Sequence, residues 1–170
     1  FETAIHQQFE VVRHRLEIRG QRGYVRRCHG DLHLDNIVVI NAEPVLFDAL
    51  EFDENLATID VLYDLAFLIM DLEAHHLRAQ ANLVLNRYVN CSPDVATIAG
   101  LQALPLFLAC RAGILAMVAI TRMRQAASAT SRSSALGQAA RHFAAALQYL
   151  EPQSPQMICI GGLSGTGKTT

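Results

Sequence analysis

One stretch of this sequence breaks an otherwise helical rhythm. Ile37-Val38-Val39-Ile40 and Val45-Leu46-Phe47 are short β-type runs, and Asn41-Ala42-Glu43-Pro44 between them has the composition of a turn. Together they predict a β-hairpin. A hairpin returns the chain to where it started, so Asn36 at its entry and Asp48 at its exit fall on the same side although twelve residues separate them.

Around the hairpin the pattern is helical. Ile5, Phe9, Val12 and Leu16 recur at three- and four-residue steps, predicting an amphipathic helix that runs to about Arg19 and is ended by Gly20 and Gly23. Thr58 can cap a long helix in which Leu62, Leu65, Ala66, Ile69 and Met70 share a face, continuing through Leu83 to about Val89. Cys91-Ser92-Pro93-Asp94 breaks it. A second helical stretch from Asp94 to about Gln125 is interrupted at Gly100 and Pro105. A Ser/Ala-rich loop from Ala126 to Ser134 then leads to a last helix from Ala135 to Leu150. The fold class expected is α+β and predominantly helical, with one hairpin, over residues 1–150.

The 170 residues have room for one ordinary domain, and 51% hydrophobic residues argue for a real core. Leu101 to Ile120 is the membrane candidate, interrupted only by Gln102 and Arg111. An arginine at the centre of a spanning helix costs about 2.5–3.5 kcal/mol on insertion scales, so a buried core helix is the expectation. Cys28, Cys91, Cys110 and Cys159 stand singly, which suggests neither a zinc site nor a disulfide framework and fits a reducing cytoplasm. No signal peptide is visible.

The net charge of -2 conceals an asymmetry. From Asp31 to Glu73 there are eleven acidic residues and no Lys or Arg, a segment suited to cations. From Arg78 to Arg141 seven arginines face the single acid Asp94. The basic span reads as solvated helix faces, and neither nucleic acid nor a membrane is expected as a partner.

Within the acidic segment, His29-Gly30-Asp31-Leu32-His33-Leu34-Asp35-Asn36 precedes the hairpin, and Asp48 follows it. An Asp, an Asn five positions on and a second Asp beyond a hairpin are groups that phosphoryl transfer uses. The loose transition state asks the protein mainly to aim a nucleophile and to neutralise phosphate charge. Asp31 would accept a hydrogen bond from the acceptor hydroxyl and take its proton late. Asn36 and Asp48 would offer hard oxygen ligands to Mg2+.

These residues carry a resemblance. His29-Gly30-Asp31-Leu32-His33 with Asn36, then Phe47-Asp48, then Asp60-Val61-Leu62-Tyr63-Asp64-Leu65-Ala66, is similar to the catalytic segment of the aminoglycoside phosphotransferase and choline kinase-like family, which shares the protein kinase fold. The match covers roughly Arg26 to Leu72. It implies that the helices to Leu150 form a carboxyl-terminal, substrate-binding lobe, that ATP and Mg2+ are the cofactors, and that a small-molecule hydroxyl is the acceptor. By the same resemblance Asp31 matches the catalytic base, Asn36 and Asp48 the metal ligands, Asp64 a buried aspartate that braces the catalytic loop, and His29 a loop-orienting histidine. Asp64 is structural rather than catalytic on this reading. His33 either touches phosphate or packs against the hairpin, and Glu51 and Asp53 read as loop solvation. His75 and His76 diverge on a helix and do not read as a metal pair.

A second motif closes the sequence. Residues 151–156 read as a stiff linker, and Met157-Ile158-Cys159-Ile160 as a buried strand. Gly162-Leu163-Ser164-Gly165-Thr166-Gly167-Lys168-Thr169 completes G-x-x-x-x-G-K-[ST], over which backbone N–H groups wrap phosphate, Lys168 reaches the β- and γ-phosphates and Thr169 meets Mg2+. Gly162, Gly165, Gly167, Lys168 and Thr169 are the nucleotide-binding residues expected there, and residues 157–170 the start of an α/β P-loop domain. Lys168 is also the sole lysine, so the lysine-bearing amino-terminal lobe that a kinase-type site needs is not in this stretch. Both ends read as cut, and a fragment alone reads as inactive. The expectation is an ATP- and Mg2+-dependent phosphotransferase whose acceptor, facing arginine-rich helices, is not polycationic. Its rivals are a non-catalytic nucleotide-binding regulatory domain attached to a P-loop kinase, and a helical interaction scaffold.

Overall fold

A computed structural model describes residues 1–92 and 94–152. Helix α1 (Glu2–Gln21) leads into the short strand β1 (Val25–Arg27). Loop residues to His33 and a 3-10 turn (Leu34–Asn36) feed the hairpin of β2 (Ile37–Ile40) and β3 (Glu43–Leu46). A single-turn helix α2 (Glu54–Ala57) and strand β4 (Thr58–Asp60) precede helices α3 (Val61–Ala74), α4 (Arg78–Cys91), α5 (Val95–Gly100), α6 (Leu104–Gln125) and α7 (Ala129–Tyr149). The described chain is predominantly helical, with two small antiparallel sheets.

In the hairpin Ile37 pairs with Leu46 and Ile40 with Glu43, so the turn is the two residues Asn41 and Ala42, both with positive φ. The four-residue turn expected from Asn41 to Pro44 is therefore two residues shorter at its far end, because two left-handed residues match the strand twist. The other sheet pairs Val25 with Asp60 and Arg27 with Thr58. Its strand β4 occupies Thr58, the expected helix cap, so α3 is capped by Asp60, whose carboxylate accepts from the Leu62 N–H at 2.8 Å.

Three helix boundaries also move. Helix α1 runs past Gly20 and is stopped by Gly23, whose φ of 77° is left-handed. The single long helix expected to Val89 is two, separated at His75-His76-Leu77. The last helix begins six residues earlier than expected, at Ala129, where Ser128 caps it by accepting from the Ser131 N–H at 3.0 Å.

The core gathers Val12 of α1, Leu62, Ala66, Phe67, Ile69, Met70 and Leu72 of α3, Leu106, Phe107, Leu108 and Ala112 of α6, and Ala146 of α7. Alanines set the spacing of the last two helices. Ala109, Ala112, Ala116 and Ala119 are buried on α6, as are Ala135, Ala139 and Ala146 on α7, and side chains this small let the backbones approach closely. The run Val95–Gln125 is long and apolar enough to cross a membrane, and half of its most apolar window is buried inside the protein. Residues 153–170 lie outside the described residues, and with them the phosphate-loop positions Gly162, Gly165, Gly167, Lys168 and Thr169.

Candidate active site

The chain from Cys28 to His33 has no sheet or helix to satisfy its backbone, so its amides need side-chain partners. Helix α3 supplies them. Asp64 accepts from the His29 N–H at 3.0 Å through one oxygen and from the Gly30 N–H at 3.0 Å through the other. Two turns along the same face, Asp71 accepts from the Leu34 N–H at 2.8 Å. Asp64 is buried, and such burial is tolerable because both its oxygens are engaged.

The hairpin holds the same loop from its other flank. His29 Nε2 lies 2.8 Å from the Phe47 carbonyl, which can only accept, so Nε2 carries a proton. The Phe47 N–H donates to the Asn36 carbonyl at 3.1 Å and the Leu50 N–H to the His29 carbonyl at 2.9 Å. Gly30 has a φ of 83°, and a Cβ there would meet Leu50 Cδ1 at 2.6 Å. The position thus demands glycine twice over, for conformation and for space.

Between these supports stands Asp31, its side chain 44% exposed. The Asn36 amide is buried behind it and donates Nδ2 to the Asp31 carbonyl at 2.9 Å and to Asp31 Oδ2 at 3.3 Å. His33 Nε2 is 3.4 Å from that same oxygen, and the His33 ring tilts against Phe67 with centroids 5.1 Å apart. His33 therefore packs on α3, not on the hairpin. Asp48 is exposed, with a left-handed φ of 59°, and lines with Asp31, Leu50, Glu51 and Phe52 an open cleft of about 710 Å³.

Asp31, Asp48 and Glu51 face the cleft with no Lys or Arg among its lining residues, so its field is negative and favours cations. Asn36 is not on the cleft wall. Among the described residues, no three His, Cys, Asp or Glu side chains converge into a metal cage. What the cleft does present is the carboxylates of Asp31 and Asp48, while the buried Asn36 has its amide nitrogen committed to Asp31. A hard oxygen set with one or two carboxylates fits Mg2+, which completes its shell with water and phosphate oxygens. Asp53 turns away and caps α2, accepting from the Asn55 N–H at 2.9 Å and the Leu56 N–H at 3.3 Å. Burial, with help from Asp64, pushes the neighbouring Cys28 thiol up to about 11, which keeps it protonated near neutral pH.

Sequence reasoning missed two residues of this site. Asp71 is one, and its signal was the seven-residue step from Asp64 on one helix face. Arg111 is the other. From the middle of α6 it donates Nη2 to the Gly30 carbonyl at 3.2 Å and lies 3.8 Å from the Asp64 carboxylate. Its guanidinium is 4.2 Å from the Tyr63 ring centroid and 5.0 Å from that of Phe67. An arginine alone in an apolar run announces a buried partner, though not which one.

No family model and no solved structure match the chain. It is 34% identical over 152 residues to an uncharacterized protein of Mycobacterium bovis and to uncharacterized proteins of two Mycobacterium tuberculosis strains. Those residues are 89% of this chain and 29% of each relative, so the chain spans less than a third of the mycobacterial proteins it resembles.

Proposed function

We propose that this chain carries the acceptor-aiming and cation-binding part of a kinase-like phosphotransferase, which moves the γ-phosphoryl group of ATP to a hydroxyl of a small molecule. One observation carries the reading: Asp31 stands in an anionic cleft beside Asp48, with Asn36 bonded to its back and the loop on either side clamped by α3. In the mechanism Asp31 accepts a hydrogen bond from the acceptor hydroxyl, orients its oxygen for in-line attack and takes the proton late. Asn36 holds Asp31 in place through Nδ2 and, with Asp48, would hold Mg2+. That ion, when bound, neutralises developing charge on the phosphate oxygens. Asp64 and His29 keep the loop in register with the hairpin. On this reading the negative charge of the cleft serves the metal ion, and the arginines of α4, α6 and α7, which lie outside the cleft lining, disfavour a polycationic acceptor. The same reading joins this unit to a P-loop domain at residues 157–170.

The test uses the full-length protein, with ATP consumption measured across sugars, amino sugars and aminoglycosides. Asp31→Asn keeps the shape and removes the basic oxygen, and should lower turnover by roughly 10²–10⁴-fold on the best acceptor. Equal turnover in Asp31→Asn would remove Asp31 from the mechanism.

A further inference from the structure

The phosphotransfer reading leaves a buried cation without a task. Arg111 is 8% exposed, comes from a helix far from the loop in sequence, and has its Nε buried without a partner. Burying a guanidinium costs several kcal/mol unless its partners repay it. Here the repayment is an ion contact to Asp64, one carbonyl bond and two aromatic faces.

Which carbonyl it takes matters most. The Gly30 C=O belongs to the peptide plane that joins Gly30 to Asp31, so fixing that oxygen fixes the direction of the Asp31 backbone. The two preceding N–H groups, of His29 and Gly30, end on Asp64, which Arg111 itself faces. Three backbone groups on the amino side of Asp31 thus terminate in one buried Asp64–Arg111 pair. On its carboxyl side the Asp31 carbonyl is held by Asn36 and the Leu34 N–H by Asp71. Loop residues without secondary structure are ordinarily mobile, whereas an attacking hydroxyl needs its partner oxygen held to a fraction of an ångström.

We infer that Arg111 is a positioning residue for phosphoryl transfer: it locks the Gly30–Asp31 peptide and Asp64 so that the Asp31 carboxylate is aimed before the acceptor arrives. The inference rests on the phosphotransfer reading for its purpose, but not for its physical content. Lysine does not replace arginine there, because a single ammonium lacks the planar fork that reaches the carbonyl while lying between two rings.

Two measurements on the full-length protein test it. In steady-state kinetics, Arg111→Met and Arg111→Lys should lower kcat about 10- to 100-fold with KM for ATP within about twofold of wild type, and guanidinium ion should restore part of the activity of Arg111→Ala. Wild-type kcat in both Arg111→Met and Arg111→Lys, or losses confined to KM, would overturn the inference. The second measurement, amide hydrogen exchange, does not depend on activity. His29, Gly30 and Asp31 should lose protection in Arg111→Lys while Ile69 and Met70 in the core of α3 keep theirs. Equal loss throughout would reduce Arg111 to a global stabiliser, and unchanged protection at the loop would also overturn the inference. If wild type and Asp31→Asn are alike in turnover while the exchange result holds, the phosphotransfer reading fails and the lock stands.

Discussion

Gly30 is surrounded on the side where a side chain would grow. Its φ of 83° already disfavours any L-residue, and Leu50 occupies the Cβ position at 2.6 Å. Leu50 Cγ and Cβ stand 2.9 and 3.1 Å from that position as well, so the clash is not confined to the tip of the side chain. Gly30→Ala should therefore destabilise the protein by about 1–3 kcal/mol, read as a lower urea midpoint at unchanged slope. Asp31, Asn36 and Asp48 are legible from the sequence because their spacing is short and a hairpin brings the ends together. Arg111 and Asp71 are not, because neither the buried arginine nor the half-buried aspartate names its partner until α3 and α6 close on the loop. Asn36 is intermediate: its place at the hairpin's entry follows from the sequence, whereas its burial and its bonds to Asp31 do not.

Among the elements, the break between α3 and α4 has a clear physical cause. The Leu77 N–H donates to the Leu72 carbonyl at 2.8 Å and the His76 N–H to the Glu73 carbonyl at 3.0 Å. His76 adopts a left-handed φ of 60° between them, which makes a Schellman ending with histidine where glycine is usual. Leu72 and Leu77 both belong to the core cluster and its margin, so packing stabilises the ending against the strain. That is why the apolar spacing, read alone, runs one helix to Val89. Removing the Cβ should relieve the left-handed strain, so His76→Gly is expected to stabilise the fold by about 0.5–1 kcal/mol, checked by chemical denaturation. A loss of stability would show that the histidine ring contributes a contact worth more than the strain. The turn at Asn41 and Ala42 was misjudged for a related reason, since Ala42 stands at φ 65° where glycine would have marked the turn.

Across the whole molecule, Arg19 does for the scaffold what Arg111 does for the loop. Its guanidinium donates to both Asp60 oxygens, at 2.7 and 2.6 Å, and also to the Ala96 carbonyl and the Tyr88 hydroxyl. It lies 4.1 Å from the Tyr24 ring centroid, and the Tyr24 hydroxyl reaches Thr97 Oγ1 at 2.7 Å. Burial works against the Arg19 charge, but the bonds to Asp60 and Tyr88 outweigh it and hold the guanidinium firmly protonated. One residue of α1 thereby ties β4, α4 and α5 together, and Asp60 caps α3 with the oxygen it shares. A Cβ on Gly100 would collide with the Arg19 guanidinium, which the bidentate pair keeps from moving aside. Arg19→Met should cost about 3–5 kcal/mol, because it strands a nearly buried Asp60, and thermal unfolding would report it as a fall in Tm. A change below 1 kcal/mol would mean that water or Tyr88 can satisfy Asp60 instead.

What the sequence alone determined is what neighbouring residues decide among themselves. The apolar steps of α1, the break near Pro93, the hairpin and the return of its far strand to Asn36 all follow from side chains and turn residues a few positions apart. The tertiary structure alone decided the pairing of β1 with β4, whose three-residue strands lie too far apart in sequence to carry a local signal. It also decided the end of α3 and the partners of Asp64, Arg111 and Arg19. A short strand or a buried charge is stable only in the company of residues far along the chain, and that company exists only after the helices pack.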